Sequence, residues 1–341
     1  MASLADIAER AGVSIATASR VLNGSRHPVS APMRKLVLDA AAELGYSPSP
    51  VAQALVTRTS RILGVIVGDI VDPYFAEIAR GVEDVAGRRG HLTMVCSAER
   101  STAAELGHLR ALCEYRAAGI VFASSGYEED RLDLELARAV RDARDSGTAV
   151  VALARRNFGG LTATVDNQGC AHAVTAHLID LGHTEITFVQ GPVGLHTSAQ
   201  RQAGFRAAMA AAGLDGDRLV PGGFEYESGY QVALRMMASG SLPQAIVAAN
   251  DEVAIGILMS LRQAAIAVPG RVSVAGIDDT RPARYLDLTT VRVPLYELGA
   301  LGAHMLLGDE AGSVAASPTS TVLAHRLMAR ATTGPPGRVG G

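Results

Sequence analysis

Leu4-Ala-Asp-Ile-Ala-Glu-Arg-Ala11, Gly12-Val-Ser14 and Ile15-Ala-Thr-Ala-Ser-Arg-Val-Leu22 open the chain, and their reading decides the architecture of its first part. Apolar residues at 4, 5, 7, 8 and 11 recur with a helical period. Gly12 supplies the left-handed residue that ends such a helix. Val13 follows as a packing residue, and Ser14 suits the N-cap of a second helix from Ile15 to about Leu22. Two short helices joined by a three-residue, glycine-containing turn make a helix-turn-helix. Asn23-Gly24 closes the second helix and the stretch through His27 and Pro28 is a loop. Ser30 is expected to cap a third helix, with Pro32 in its first turn, that runs to about Leu44 before Gly45 stops it. The outer face of the second helix presents Ser14, Thr17, Ser19, Arg20 and Asn23. Hydroxyl, guanidinium and amide groups of this kind suit phosphate oxygens and base edges in a DNA major groove. The bland alternative is a three-helix bundle with no such role.

Outward from this head, composition narrows the field. The chain has 341 residues, 48% apolar and 19% charged, with no Trp and 4% aromatics, so aliphatic side chains build a globular core in two or three domains. Three scattered cysteines, Cys96, Cys113 and Cys170, make neither a disulfide framework nor a CxxC metal site and read as buried thiols in a reducing cytoplasm. The acidic start lacks the apolar region of a signal peptide. The apolar run over 62–70 is broken by Gly and Asp and is too short to span a bilayer, so no membrane partner is expected. Net charge is −3: residues 1–60 carry +2 and the remainder −5, a small basic head on an acidic body. Lys35 is the only lysine, a bias read as base composition and not as function.

From Arg61 onward, β-rich runs at 62–67, 92–96, 119–123, 149–154, 186–190, 245–249 and 272–277 alternate with helical patterns such as 74–89 and 103–117. This βαβ alternation predicts parallel, doubly wound sheets, and about 270 residues of it predict two. Ligands bind such sheets outside the carboxyl ends of the strands. The residues there are Asp69, Asp72-Pro-Tyr74-Phe75, Ser124-Ser125, Arg155-Arg156, Asp166-Asn167, Gln190-Gly-Pro192, Asn250-Asp251 and Asp278-Asp279, with Arg201 on a helix that opens nearby. For Asn167, Asp251 and Asp279, a helix N-cap is an equally good reading.

The run Asp6-Ile-Ala-Glu-Arg-Ala-Gly-Val-Ser-Ile-Ala-Thr-Ala-Ser-Arg-Val-Leu-Asn23 resembles the head of the LacI/GalR family of bacterial repressors, whose pattern is D-[IV]-A-x-x-A-G-V-S-x-x-T-V-S-R-V-L-N. Ala18 departs from the usual Val, and Pro32-Met33 from a frequent Glu-Thr. The resemblance implies that Ile15 and Ala16 help choose bases through apolar contact, that Arg20 reads a guanine, and that Ser14, Thr17, Ser19, Asn23 and His27 complete the DNA contacts. It also makes 47–60 a hinge helix that lies in the minor groove, with Leu55 as an apolar wedge and Ala52 small enough for two hinges to meet. Read without the resemblance, its Ser and Pro content suits an interdomain linker.

The resemblance covers nearly the whole body. Asp72-Pro-Tyr-Phe-Ala-Glu-Ile matches the family's N-P-F-F-A-E-I, and His177-Leu-Ile-Asp-Leu-Gly-His183, Arg201-Gln-Ala-Gly-Phe205, Ala249-Asn-Asp-Glu-Val-Ala-Ile-Gly256 and Val274-Ala-Gly-Ile-Asp-Asp279 match later motifs. It implies an α/β body of two lobes similar to periplasmic sugar-binding proteins. One lobe takes about 61–159 plus 291–320, and the other about 160–290 plus 321–330. The crossings fall near Gly159, Val291 and Thr321, and 331–341 forms a disordered tail. The implied effector set is Asp69, Tyr74, Phe75, Ser124, Arg155, Asp166, Arg201, Asn250 and Asp278, with Phe75 stacking on the ligand and Arg201 and Asp278 holding hydroxyls. Val293 replaces the family's usual Gln.

The chain lacks GxGxxG after its first strand, a GxxxxGK[ST] loop, a G-x-S-x-G elbow and HExxH spacing, so an enzyme of this fold is not expected, nor any metal or cofactor. A solute-binding protein with this body fold is the other remote alternative. The expectation is a cytoplasmic transcriptional regulator, a repressor before an activator. It is expected to dimerise on a pseudo-palindromic double-stranded operator and to be controlled by a small molecule. A sugar or sugar derivative leads, with a nucleobase-type corepressor as the alternative. No heptad repeat follows the body, which speaks against a coiled-coil tetramer and leaves other tetramers open.

Overall fold

The computed structural model describes residues 2–22, 28–46, 60–128, 131–308 and 320–337. The chain divides into a unit of residues 1–61 with 115–118 and a unit of 62–114 with 119–341.

The first unit carries α1 (Leu4–Ala11), α2 (Ile15–Leu22) and α3 (Ala31–Glu43). A capping box starts α1: Ser3 Oγ accepts from Asp6 N, and Asp6 Oδ2 accepts from Ser3 N at 2.7 Å. Gly12 ends the helix at φ 65°, where a side chain would be strained. Ser14 Oγ then accepts from Thr17 N at 3.1 Å and caps α2. Ser30, expected to cap α3, makes no side-chain cap bond; Pro at the helix start, which has no N–H to satisfy, does that work. The core is Ile7, Ala8, Ala11, Ala18, Val21, Val37, Ala40 and Ala41. Five of these eight are alanines, which bring the helices close, and Leu4, Val13, Leu22, Val29 and Tyr46 pack against them partly buried.

The second unit holds two parallel sheets. Its elements run β1 (Ile62–Val67), α4 (Pro73–Arg88), β2 (Leu92–Ser97), α5 (Thr102–Glu114), β3 (Gly119–Phe122), α6 (Asp133–Asp145), β4 (Ala149–Ala152), β5 (Leu161–Val165), α7 (Asn167–Asp180), β6 (Ile186–Val189), α8 (His196–Ala211), β7 (Leu219–Val220) and α9 (Tyr226–Ala238). They continue β8 (Ala245–Ala248), α10 (Asp251–Gln263), β9 (Ser273–Ala275), α11 (Arg281–Tyr285), β10 (Thr290–Arg292), α12 (Leu295–Leu307), β11 (Ser320–Leu323) and β12 (Arg326–Met328). The larger sheet has the order β11-β5-β4-β3-β1-β2 and the smaller β7-β6-β8-β9, with every ladder parallel. The antiparallel pair β10-β12 joins two of the segments that run between the lobes. Gly81 on α4 and Gly299 on α12 have no room for a Cβ against Tyr296 O and Ile78 O, so these two helices touch backbone to backbone.

The structure moves two lobe boundaries. β5 pairs with β4 and β11, so the chain leaves the larger sheet after Val165 and not near Gly159. Leu323 still pairs with Val165, so the last crossing lies at 324–325 and not at Thr321. The tail is corrected too: over 331–337 it is placed on the second lobe. Thr332 Oγ1 donates to Val274 O at 2.7 Å and accepts from Thr289 N at 2.8 Å. His183 Nε2 donates to Gly334 O at 2.8 Å, and His177 Nε2 lies 3.0 Å from Thr333 Oγ1. Backbone groups and hydroxyls hold this segment, and such anchors leave no apolar periodicity in the sequence.

Candidate functional site

On α2, the cap at Ser14 fixes which residues face outward. Ile15, Ala16 and Arg20 are exposed, Thr17 and Ser19 half-buried, and Ala18 and Val21 point into the core. Ser14 Oγ lies 2.9 Å from Thr17 Oγ1, so the two hydroxyls form one polar spot at the helix start. Ile15, 54% exposed, leaves an apolar side chain in water on a unit with little apolar core to spare. Asn23, His27, Ala52 and Leu55 lie outside the described residues.

A cleft lies between the lobes of the body and is lined by residues of both. Six residues expected from the sequence line it: Tyr74, Phe75, Ser124, Arg201, Asn250 and Asp278. Three do not. Asp69 accepts from Val71 N at 3.1 Å in a local turn. Asp166 caps α7 by accepting from Gly169 N at 2.8 Å. Arg155 is exposed, and it is the next residue, Arg156, that turns inward. Asp72, Arg100, Thr102, Glu105, Ser125, Tyr127, Leu195, Thr197 and Phe224 line the cleft without having been singled out as its ligand set. Arg100 sits in a tight turn, with Glu99 at φ 48° and Arg100 at φ 57°; Phe224 follows Gly222-Gly223. An aromatic directly after a glycine pair is a readable signal. The Arg100 turn had none.

Each lobe contributes a buried ion pair. In the second, Arg201 is 2% exposed. Its Nη2 donates to Asp278 Oδ1 at 2.7 Å, Nε to Asn167 Oδ1 at 3.1 Å and Nη1 to Ala249 O at 2.6 Å. Burial pushes the Asp278 carboxyl up, and the Arg201 guanidinium beside it pulls the other way. In the first lobe, Arg156 grips Glu105 through both nitrogens, Nη1 donating to Oε2 at 2.7 Å, while Ser124 Oγ donates to Glu105 Oε1. Asn250 is both wall and cap: its Oδ1 accepts from Val253 N at 3.0 Å and its Nδ2 donates to Phe224 O at 2.9 Å.

Aromatic rings cover other sides. Tyr74 packs edge-on to Phe75 with centroids 5.0 Å apart, and burial pushes its phenol well up, keeping it neutral. Arg100 lies 5.9 Å from the Phe75 ring and 5.2 Å from the Phe224 ring. It also reaches Asp72 at 3.3 Å and Glu225 at 3.5 Å, and so spans the two lobes. Tyr127 pairs with Leu195 in a β-bridge, a second contact across the cleft.

Asp278 and Asp279 have φ values of 129° and 58°, a conformation costing about 1–3 kcal/mol per residue. The β10 segment holds it: Asp278 N donates to Val291 O at 2.8 Å and Val293 N to Asp278 O at 3.2 Å. Asp279 does not line the cleft. Its fully buried carboxylate takes Arg292 Nε at 2.7 Å, Arg330 Nη2 at 2.5 Å and Arg284 Nε at 3.3 Å. The neighbouring N-cap alternatives resolve differently: Asp251 accepts from Thr280 and Thr290, and the cap of α10 is Asn250. Among the described residues, no group of His, Cys, Asp and Glu is arranged to hold a metal, and no helix is long and apolar enough to cross a membrane.

The comparisons agree with both parts. The model of bacterial regulatory proteins of the lacI family matches residues 3–49, and that of the periplasmic binding protein-like domain matches 175–333. The HTH-type transcriptional repressor PurR of Pasteurella multocida (strain Pm70) is 33% identical over 315 residues, covering 90% of this chain and 91% of its own. Among solved structures, the Lac repressor dimer bound to operator and the anti-inducer ONPF superposes with a TM-score of 0.83 at 26% identity, over 98% of this chain and 99% of that one. The transcriptional regulator CelR in complex with cellobiose gives 0.69 at 27% identity, over 97% and 100%. With the head, the two-lobed body and relatives over nine-tenths of its length all of one kind, the chain belongs to the lacI family of bacterial regulatory proteins: it is a DNA-binding transcriptional regulator and not an enzyme.

Proposed function

We propose that this protein is a cytoplasmic, dimeric repressor that binds a pseudo-palindromic operator through α2 and the 47–60 segment and is controlled by a flat, nucleobase-type corepressor held between its lobes. The observation that carries the ligand assignment is the cleft itself: Tyr74, Phe75, Tyr127 and Phe224 surround a space whose buried Arg–carboxylate pair supplies edge-on polar contacts. Rings suit a planar heterocycle, and a guanidinium and a carboxyl side by side match its alternating donors and acceptors. The relative named a PurR repressor supports the repressor role, and the operator-bound Lac repressor dimer supports the dimer on DNA. This shifts the preferred ligand from the sugar expected from sequence to its alternative.

Ile15, Ala16 and Arg20 are the base-facing residues of the proposal, and Leu55 and Ala52 its minor-groove residues. A ligand touching both lobes favours the lobe arrangement it fits and can shift operator affinity only by its differential affinity for the two arrangements. Operator must then change ligand affinity by the same factor. The test is anisotropy titration of a labelled operator with adenine, guanine, hypoxanthine, xanthine, ribose and cellobiose. A base that tightens operator binding supports the proposal. The second reading is a sugar inducer, favoured by the cellobiose bound to CelR; a sugar that weakens operator binding, with all bases inert, establishes it instead.

A further inference from the structure

Among the described residues, both guanidiniums that line the cleft, Arg201 and Arg100, have a carboxylate, and Arg156 behind the wall pairs with the lining residue Glu105. Arg201 has Asp278 at 2.7 Å, Arg156 has Glu105, and Arg100 has Asp72 at 3.3 Å. The first two pairs are almost fully buried, and their guanidinium nitrogens are further held in place by Asn167, Ala249 O and Ser124 O. Arg100 differs. Its pairing with Asp72 is a single long contact, its second carboxylate Glu225 is half exposed, and its guanidinium lies between reach of the Phe75 and Phe224 rings. It is the cleft cation with charge least committed to its surroundings, and Asp72 is what offsets it.

We propose that Asp72 is a specificity-determining residue: by neutralising Arg100 at the cleft, it makes the site select uncharged ligands and reject their phosphorylated forms. This rests on the cleft being the effector site. A phosphate group brings about −1.5 to −2 charges. In this cleft it meets Asp72, Glu105 and Asp278 with no unpaired cation among the described lining residues, and it must displace Asp72 from Arg100 before it gains a full charge partner. Asp72 also caps α4, accepting from Tyr74 N at 3.0 Å. Asn caps equally well, so Asp72→Asn removes the charge and keeps the helix start.

The test is calorimetric titration of the full-length protein and Asp72→Asn, without DNA, with inorganic phosphate, AMP, GMP and ribose 5-phosphate. Wild type is expected to bind none of them at millimolar concentration. Asp72→Asn is expected to bind at least one at least tenfold tighter, with salt weakening the gain. A phosphorylated probe that binds wild type, or an Asp72→Asn protein with no gain for any of the four, overturns the proposal. Adding Arg100→Ala to Asp72→Asn must remove the gain; if it persists, Arg100 is not its source and the proposal also fails. The cleft reading fails separately, if Phe75→Ala and Arg201→Ala leave the binding of an active nucleobase unchanged.

Discussion

The head and the body solve opposite problems. Among the described residues, the head has eight buried core residues, five of them alanine, and it carries its chemistry outward on a helix whose Ile15, Ala16 and Arg20 are exposed. The body buries large aliphatic cores and carries its chemistry inward, on Arg201, Asp278 and Glu105, each under 5% exposed. In the head, function sits on a thin scaffold and does not hold it together. In the body, the residues that face the cleft are also the ones whose loss leaves a buried charge, so binding and stability are not separable there.

The sharpest test of that contrast is Arg201→Ala. It leaves Asp278 buried without its cation and is expected to cost about 3–5 kcal/mol of body stability in denaturant unfolding, together with the ligand response. A cost under 1 kcal/mol breaks the comparison on the body side. Ile7→Ala should cost the head about 2–4 kcal/mol by opening a cavity that a mostly alanine core fills poorly. Operator binding is expected to fall while calorimetry shows ligand binding by the body unchanged. Arg20→Ala should leave head stability alone and cost about 1–3 kcal/mol of specific operator binding, with base preference flattened in a binding-site selection. A fall in the head's melting temperature as large as that of Ile7→Ala shows that reader and scaffold are not separate. Ser3→Ala removes one half of the capping box and should cost about 1 kcal/mol of head stability by thermal melting. The gentlest probe is pH. Burial holds His177 and His183 below the usual histidine value, with Asp180 partly offsetting this at His177. Their contribution is therefore present above about pH 6.5 and lost as pH falls through their lowered values. Hydrogen exchange at 331–337 should quicken between pH 7 and 5, with the head unaffected.

The same contrast explains what could be read from sequence. Helical period, Gly12 and Ser14 lie within a dozen residues, and local spacing determines both the motif and its outer face. In the body, alternation of strands and helices located the sheets, because a buried strand and an amphipathic helix are local patterns too. The cleft is different. Arg100 and Phe224 come from turns 124 positions apart and meet only because two lobes face each other. Arg155 and Arg156 are adjacent and equally plausible in sequence, and Glu105 on α5 decides which of them turns inward. Asp166 and Asp69 satisfy nearby backbone N–H groups, the commoner fate of a carboxylate after a strand. The docked tail went unread for a related reason: its anchors are hydroxyls and carbonyls, which leave no periodicity.

The carboxylate of Asp279 gathers arginines from three places: Arg284 on α11, Arg292 on β10 and Arg330 just beyond β12. Two of those three sit on or next to the paired strands β10 and β12. One residue earlier in the chain is Asp278, in the cleft wall. The peptide between them therefore ties the cleft wall to β10 and β12 through one residue: the carboxyl of Asp278 faces the ligand space while that of its neighbour anchors the strands that run between the lobes.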